Sequence, residues 1–149
     1  MRYQLAQLNV AKMLEPLDSP ALAGFVEALE PINALADASS GFIWRLREDE
    51  DESVANQSPE DDMLLVNLSV WESIDSLRNF VYQSAHAPVM RKKRGWFEKH
   101  RAPSIVLWWV PAGHQPSVEE AFARLKTLQA DGPSSQAFTF ANCFPAPDK

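Results

Sequence analysis

Met63-Leu64-Leu65-Val66-Asn67-Leu68-Ser69-Val70-Trp71 is the stretch on which the fold turns. Read with a period of two, Leu64, Val66, Leu68 and Val70 form one uniformly apolar face. Met63, Leu65, Asn67, Ser69 and Trp71 form the other, which mixes apolar, polar and aromatic groups. No Gly or Pro interrupts the run, so it reads as a strand.

Upstream, Phe42-Ile43-Trp44-Arg45-Leu46-Arg47 forms a second strand after the Ser40-Gly41 turn, and Tyr3 to Val10 alternates as a third. In the last, Tyr3, Leu5, Gln7 and Asn9 share one face, while Gln4, Ala6, Leu8 and Val10 share the other. Between these two strands, Ser19 can cap a helix that opens on Pro20. Leu22, Phe25, Val26, Leu29, Ile32 and Leu35 fall on one side of it, and Pro31 predicts a kink. Downstream, Ser73 can cap a second helix that carries Leu77, Phe80 and Val81 inward. The chain breaks near Ser84 and restarts at Pro88 with Val89, Met90, Trp96 and Phe97.

Ile105-Val106-Leu107-Trp108-Trp109-Val110 is a continuous apolar run, as expected of a strand covered on both faces. Ser117-Val118-Glu119-Glu120 has the form of a capping box, followed by Val118, Ala121, Phe122, Leu125 and Leu128 at helical spacing. Gly132-Pro133 ends that helix. Phe138 to Phe144 offers a short alternating piece that can add an edge strand.

The order is β-α-β-β-α-β with an extra C-terminal helix and strand: an α+β chain of ferredoxin-like type, one domain over residues 1–149. Both helices of that unit cover one face of its sheet. The strand at 105–110 is nevertheless apolar on both faces, so a lone copy leaves an apolar patch in water. A second copy packed face to face closes the patch into a dimeric α/β-barrel. The additional C-terminal helix is the alternative cover.

Composition narrows the class. Hydrophobic residues are 46% and charged residues 23%, which excludes wholesale disorder. The polar-interleaved start lacks a signal-peptide core, and no stretch reaches the roughly 20 apolar residues that span a bilayer. The single Cys143 allows no intrachain disulfide and no multi-cysteine metal site, so a cytoplasmic location is expected. Net charge is −6. Residues 48–62 hold eight of the 20 acids and no Lys or Arg, so the remainder is near +2. That segment reads as an acidic surface loop without EF-hand spacing, and the overall charge argues against nucleic acid.

Several stretches carry a family resemblance: Tyr3 to Val10, Gly41-Phe42-Ile43-Trp44-Arg45-Leu46, Leu65 to Ser73, Phe80-Val81-Tyr82 leading to His86, Arg94-Gly95-Trp96-Phe97, and Leu107 to His114. Spread over nearly the whole chain, they resemble the proteins grouped as the domain of unknown function DUF3291. These belong among the dimeric α/β-barrel proteins, beside the antibiotic-biosynthesis monooxygenases. The acidic run at 48–52 departs from the pattern. The resemblance implies the barrel and a homodimer, and no reaction. The wider superfamily holds cofactor-independent oxygenases, isomerases, haem-degrading and haem-binding enzymes, and plain binding domains.

Three groups of residues carry candidate chemistry. If Gln7, Asn9, Asn67, Ser69 and Trp71 share the sheet face away from the helices, they line a barrel interior suited to a small, largely apolar or aromatic ligand. Hydrogen bonding to each other, or burial in the dimer interface, is the structural alternative. His86, at helical spacing from Tyr82 and just before Pro88, is a candidate general base or haem ligand, with capping as its structural role. In the basic run Arg91 to Arg94, most charges are solvated, and Arg94 with Trp96 can face a ligand carboxylate. His100 and His114 read as loop residues.

No phosphate loop, zinc-protease helix or nucleophile elbow is present. The expectation is a small-molecule-binding dimeric barrel acting as a cofactor-independent monooxygenase on an apolar or aromatic compound. His86 and Asn67 are then the catalytic pair, with Gln7, Asn9, Ser69, Trp71, Tyr82, Arg94 and Trp96 binding the ligand. No metal or other cofactor is expected in that case. A non-catalytic dimerisation or binding module is the alternative, and haem binding through His86 is a further one.

Overall fold

A computed structural model describes residues 2–16, 18–46, 57–58, 61–85, 97 and 103–147. Among these, a five-stranded antiparallel sheet carries helices on both faces. The strands are β1 (Tyr3–Lys12), β2 (Phe42–Arg45), β3 (Gln57–Ser58), β4 (Asp61–Trp71) and β5 (Ile105–Pro111). The helices are α1 (Ala23–Ala38), α2 (Ile74–Ala85) and α3 (Val118–Asp131). The sheet order β2-β4-β1-β5, with β3 beside β4, is the ferredoxin-like order.

Register fixes which residues share a face. Leu5 lies opposite Trp71, Gln7 opposite Ser69, and Asn9 opposite Asn67. On the other side of β1, Leu5 faces Trp109, Gln7 faces Leu107 and Asn9 faces Ile105. The intervening positions, Ala6, Leu8, Val10, Val66, Leu68, Val70, Val106, Trp108 and Val110, are all buried and form the principal core with Ala121, Leu125 and Leu128 of α3. The uniformly apolar face is therefore covered by the chain's own C-terminal helix.

The mixed face belongs to the other helices, which corrects the expectation that it points away from them. Leu5, Trp71 and Leu107 pack with Ala36 of α1, Leu77 of α2 and Phe138. Farther along the same face, Met13 and Leu65 pack with Leu22, Phe25 and Phe97. Two apolar clusters thus flank the middle of one sheet face, and the middle is polar.

Local chemistry explains the elements. Ser19 Oγ accepts from the Ala21 N–H, 3.1 Å, in a 3-10 turn at Pro20–Leu22 that leads into α1. The helix runs on through Pro31, which stands exposed on its outer side. Gly41 (φ +84°) turns the chain into β2, where a Cβ would lie 2.1 Å from Ser76 Oγ. A register shift around Ile43 then lets Phe42 face α2 while Trp44 joins the α3 side.

Several expectations need amending. Val81 is 39% exposed rather than inward, because Leu77 and Phe80 already meet the sheet from α2. The acidic segment does not stay a loop to residue 62, since Gln57–Ser58 pair with β4 and β4 begins at Asp61. Phe138 to Phe144 forms isolated bridges, including Leu107 to Phe138, in place of a strand. Residues 48–56 lie outside the described residues.

Candidate functional site: a polar strip between two apolar clusters

The strip is built from the two central strands, which position side chains more firmly than any other part of the sheet. Gln7 on β1 is 5% exposed, as is Ser69 on β4. Asn9 and Asn67, opposite one another, are exposed. Exposure at the centre of a sheet, between buried flanks on a helix-covered face, marks an opening in the helical layer.

Gln7 organises the floor. Its Nε2 donates to Ser69 Oγ at 2.8 Å, to Asn67 Oδ1 at 2.8 Å and to the Asn67 main-chain oxygen at 3.2 Å. A main-chain carbonyl only accepts, so that contact fixes the nitrogen end of the Gln7 amide. The Asn67 atom facing it must then be Oδ1, which leaves Nδ2 directed away. Trp71 Nε1, a donor only, reaches the same Ser69 Oγ at 2.8 Å. Its indole is held by Phe80, stacked at 5.1 Å, and by the edge of Phe42 at 5.4 Å.

Counting donors and acceptors shows what is left over. Ser69 Oγ accepts twice, so its proton remains to be given, and no described residue takes it. Gln7 Oε1 has no partner among the described residues. No fully buried side-chain oxygen or nitrogen is unpaired among the described residues, so Gln7 Oε1 is not fully buried. Asn67 Nδ2 and the Asn9 amide complete the set. These four residues are uncharged, and the neighbouring charge is Arg45, in register opposite Ser69 on β2 and bonded to Asp37 at 2.8 Å.

The sequence assembled these five residues correctly and misplaced the layer that covers them. Tyr82 lies on α2 and is 67% exposed, apart from the floor. His86, Arg94 and Trp96 lie outside the described residues, so the acid-base, haem-ligand and carboxylate-binding roles expected of them are not placed. Among the described residues no three His, Cys, Asp or Glu side chains gather as metal ligands. No helix of the described chain is long and apolar enough to cross a membrane. A shallow, open depression runs along Phe42 to Leu46 on the edge strand β2, where Arg45 lies opposite Ser69.

A second polar constellation has no signal in the local sequence. The Glu120 N–H is capped by Ser117 Oγ at 3.0 Å, as the capping box predicts. Its carboxylate, instead of turning back to close the box, accepts from buried Trp108 Nε1 at 3.1 Å and meets His114 Nε2 at 2.7 Å. It ties α3 to the sheet.

The sheet order and the helices define an α+β domain of ferredoxin-like fold. The chain belongs to the family described as domain of unknown function DUF3291, whose profile matches residues 4–149. No curated protein matches the sequence. Two solved structures are similar in fold. One is SnoaB, a cofactor-independent oxygenase from Streptomyces nogalater, at 15% identity and a TM-score of 0.47. The other is PA3566 from Pseudomonas aeruginosa, at 15% identity and a TM-score of 0.40. Each comparison covers 74% of this chain and 94% of the other.

Proposed function

We propose that this protein binds a small, largely apolar organic molecule on the strip formed by Gln7, Asn9, Asn67 and Ser69. The observation that carries the reading is Gln7: a nearly buried amide, locked at its nitrogen end, whose carbonyl oxygen has no partner among the described residues and is not fully buried, beside the exposed Asn9 and Asn67. Water meets an accessible acceptor of this kind, and a ligand donor that displaces the water keeps it satisfied. Leu5, Trp71 and Leu107 on one side, and Leu65 with Met13 on the other, frame the strip as buried apolar flanks.

The activity to test on such a ligand is oxygenation without a cofactor, the chemistry of the monooxygenases beside which the sequence resemblance places the family. In that reaction an activated C–H₂ group and dioxygen yield a carbonyl and water, the substrate supplying both hydrogens. The strip orients the reacting oxygen. Its amides and hydroxyl do not titrate near neutrality, so the first proton falls to His86 or to the substrate's own acidity. The homodimer and the cytoplasmic setting implied by the resemblance and by the single Cys143 belong to the same proposal. Because α3 occupies the apolar sheet face, a pair formed through that face requires α3 to leave it.

A thermal-shift screen of small aromatic compounds tests binding. Hits should raise the melting temperature of the wild type and lose that effect in an Asn9→Ala, Asn67→Ala double variant. Hits that persist in the double variant, or none at all, would overturn the site. Oxygen uptake by the wild type with each hit then separates enzyme from binding module, and loss of that uptake in His86→Ala assigns the proton transfer to His86.

A further inference from the structure

Two asparagines stand opposite one another on the strip, Asn9 on β1 and Asn67 on β4, and both are exposed. Their amides are held differently. Asn9 makes no side-chain hydrogen bond with a described residue. Asn67 is gripped at two points by one nitrogen: Gln7 Nε2 lies 2.8 Å from its Oδ1 and 3.2 Å from its main-chain oxygen. The main-chain oxygen can only accept, so it identifies the Gln7 atom as the donor nitrogen, and that nitrogen draws Oδ1 of Asn67 toward itself. Gln7 is itself held. It is nearly buried and also donates to Ser69 Oγ at 2.8 Å, the oxygen that the Trp71 indole shares. Residues 7 and 67 are diagonal neighbours on paired strands, about 7–8 Å apart, a span that a glutamine side chain crosses.

We propose that Gln7 is a positioning residue that locks the Asn67 amide with Oδ1 on Gln7 and Nδ2 away from it, so that Asn67 offers a hydrogen-bond donor to an oxygen of the ligand. The use of that donor rests on the binding-site reading above; the lock itself does not. Any oxygen that accepts, whether of a carbonyl, a phenol or an ionised group, can meet it. Asn9 is the contrast. Its amide turns to present either end, so it adapts to a donor or an acceptor. The strip thus pairs one exposed amide of fixed polarity with one whose polarity is free.

Side-chain amide NMR on the nitrogen-15-labelled full chain tests the lock without a ligand. The Gln7 amide protons should exchange with solvent at least about tenfold more slowly than those of Asn67. Nitrogen-15 relaxation should show the Asn67 amide rigid and the Asn9 amide mobile. Gln7→Met keeps the bulk and removes the donor, and should make Asn67 as mobile as Asn9. A merely structural Gln7 would cost stability in that variant and leave the Asn67 amide unmoved. Slow exchange at Asn67 with fast exchange at Gln7 would overturn the lock, as would an Asn67 amide equally rigid, or equally mobile, in wild type and Gln7→Met. Should Gln7→Met fail to fold, the wild-type exchange ratio still decides. 2-Acetylnaphthalene, whose ketone only accepts, should then shift the Asn67 amide protons more than those of Asn9. A shift confined to Asn9 would overturn the donor role alone, and no shift at either would overturn the donor role together with the binding-site reading.

Discussion

Gln7 occupies the place of a core residue on a central strand, and its value lies in being polar there. Replacing it with Leu keeps much of the bulk but takes the shared donor from Ser69 and Asn67. We expect a loss of about 1–3 kcal/mol in urea unfolding, with Trp71 fluorescence changing because its hydrogen-bond partner Ser69 is released. Gly41 tests backbone conformation. Gly41→Ala should cost about 1–3 kcal/mol, since φ of +84° is strained for an L residue and the new Cβ meets Ser76 Oγ. Ser76→Gly in that background should return the steric part and leave the strain.

The Asp61 carboxyl is held below its ordinary range, first by the hydrogen bond from Lys12, then by the Met63 N–H and the Lys12 charge. A carboxyl depressed on folding contributes stability that is present above its unfolded value, near 3.8, and is lost as pH falls below it. Asp61→Asn should therefore flatten the acid limb of the pH–stability profile below about pH 4 and leave the profile near pH 7 parallel to wild type. An acid limb identical in the two proteins would remove the pair from consideration.

At the scale of elements, the instructive one is α3. Its apolar stripe was legible from Val118, Ala121, Phe122, Leu125 and Leu128, and its cap from Ser117. Its attachment was not. Trp108 is fully buried, and its indole proton is satisfied by a carboxylate twelve residues later. Glu120→Ala should leave that proton unpaired and cost about 1–3 kcal/mol by chemical denaturation, whereas Glu119→Ala, on an exposed position of the same turn, should cost well under about 1 kcal/mol. The segment after α3 is held by two main-chain hydrogen bonds between Leu107 and Phe138, 2.8 and 2.9 Å, and by the Trp109 indole donating to the Phe144 oxygen at 2.9 Å. Tethers at scattered points follow the aromatic anchors rather than an alternating ladder, which explains why the alternation of Phe138 to Phe144 did not become a strand.

For the whole molecule, the placement of α3 decides which surfaces are open. A sheet face made of Leu8, Val66, Leu68, Val70, Val106, Trp108 and Val110 would stand in water without it. A chain ending before Ser117 should therefore associate or precipitate, seen as a shift to high mass in size-exclusion chromatography with light scattering. A monodisperse, folded truncated chain would show that α3 is dispensable as a cover. The same measurement on the full chain tests the homodimer directly.

The sequence by itself determined the strand and helix order, the ferredoxin-like class, and the grouping of Gln7, Asn9, Asn67, Ser69 and Trp71 on one face. Period-two alternation on β1 and β4 fixes side-chain parity, and parity survives any register that keeps the apolar residues together. Which helices lie over that face was decided only in three dimensions. Leu64, Val66, Leu68 and Val70 are equally able to meet α1 and α2, a second copy or α3, because apolar burial is non-directional. The choice was made by the mixed face itself. There Trp71 finds Phe80 and Phe42, Arg45 finds Asp37 of α1, and Gln7 finds Ser69 and Asn67, and such directional contacts between distant segments leave no periodic trace in the chain.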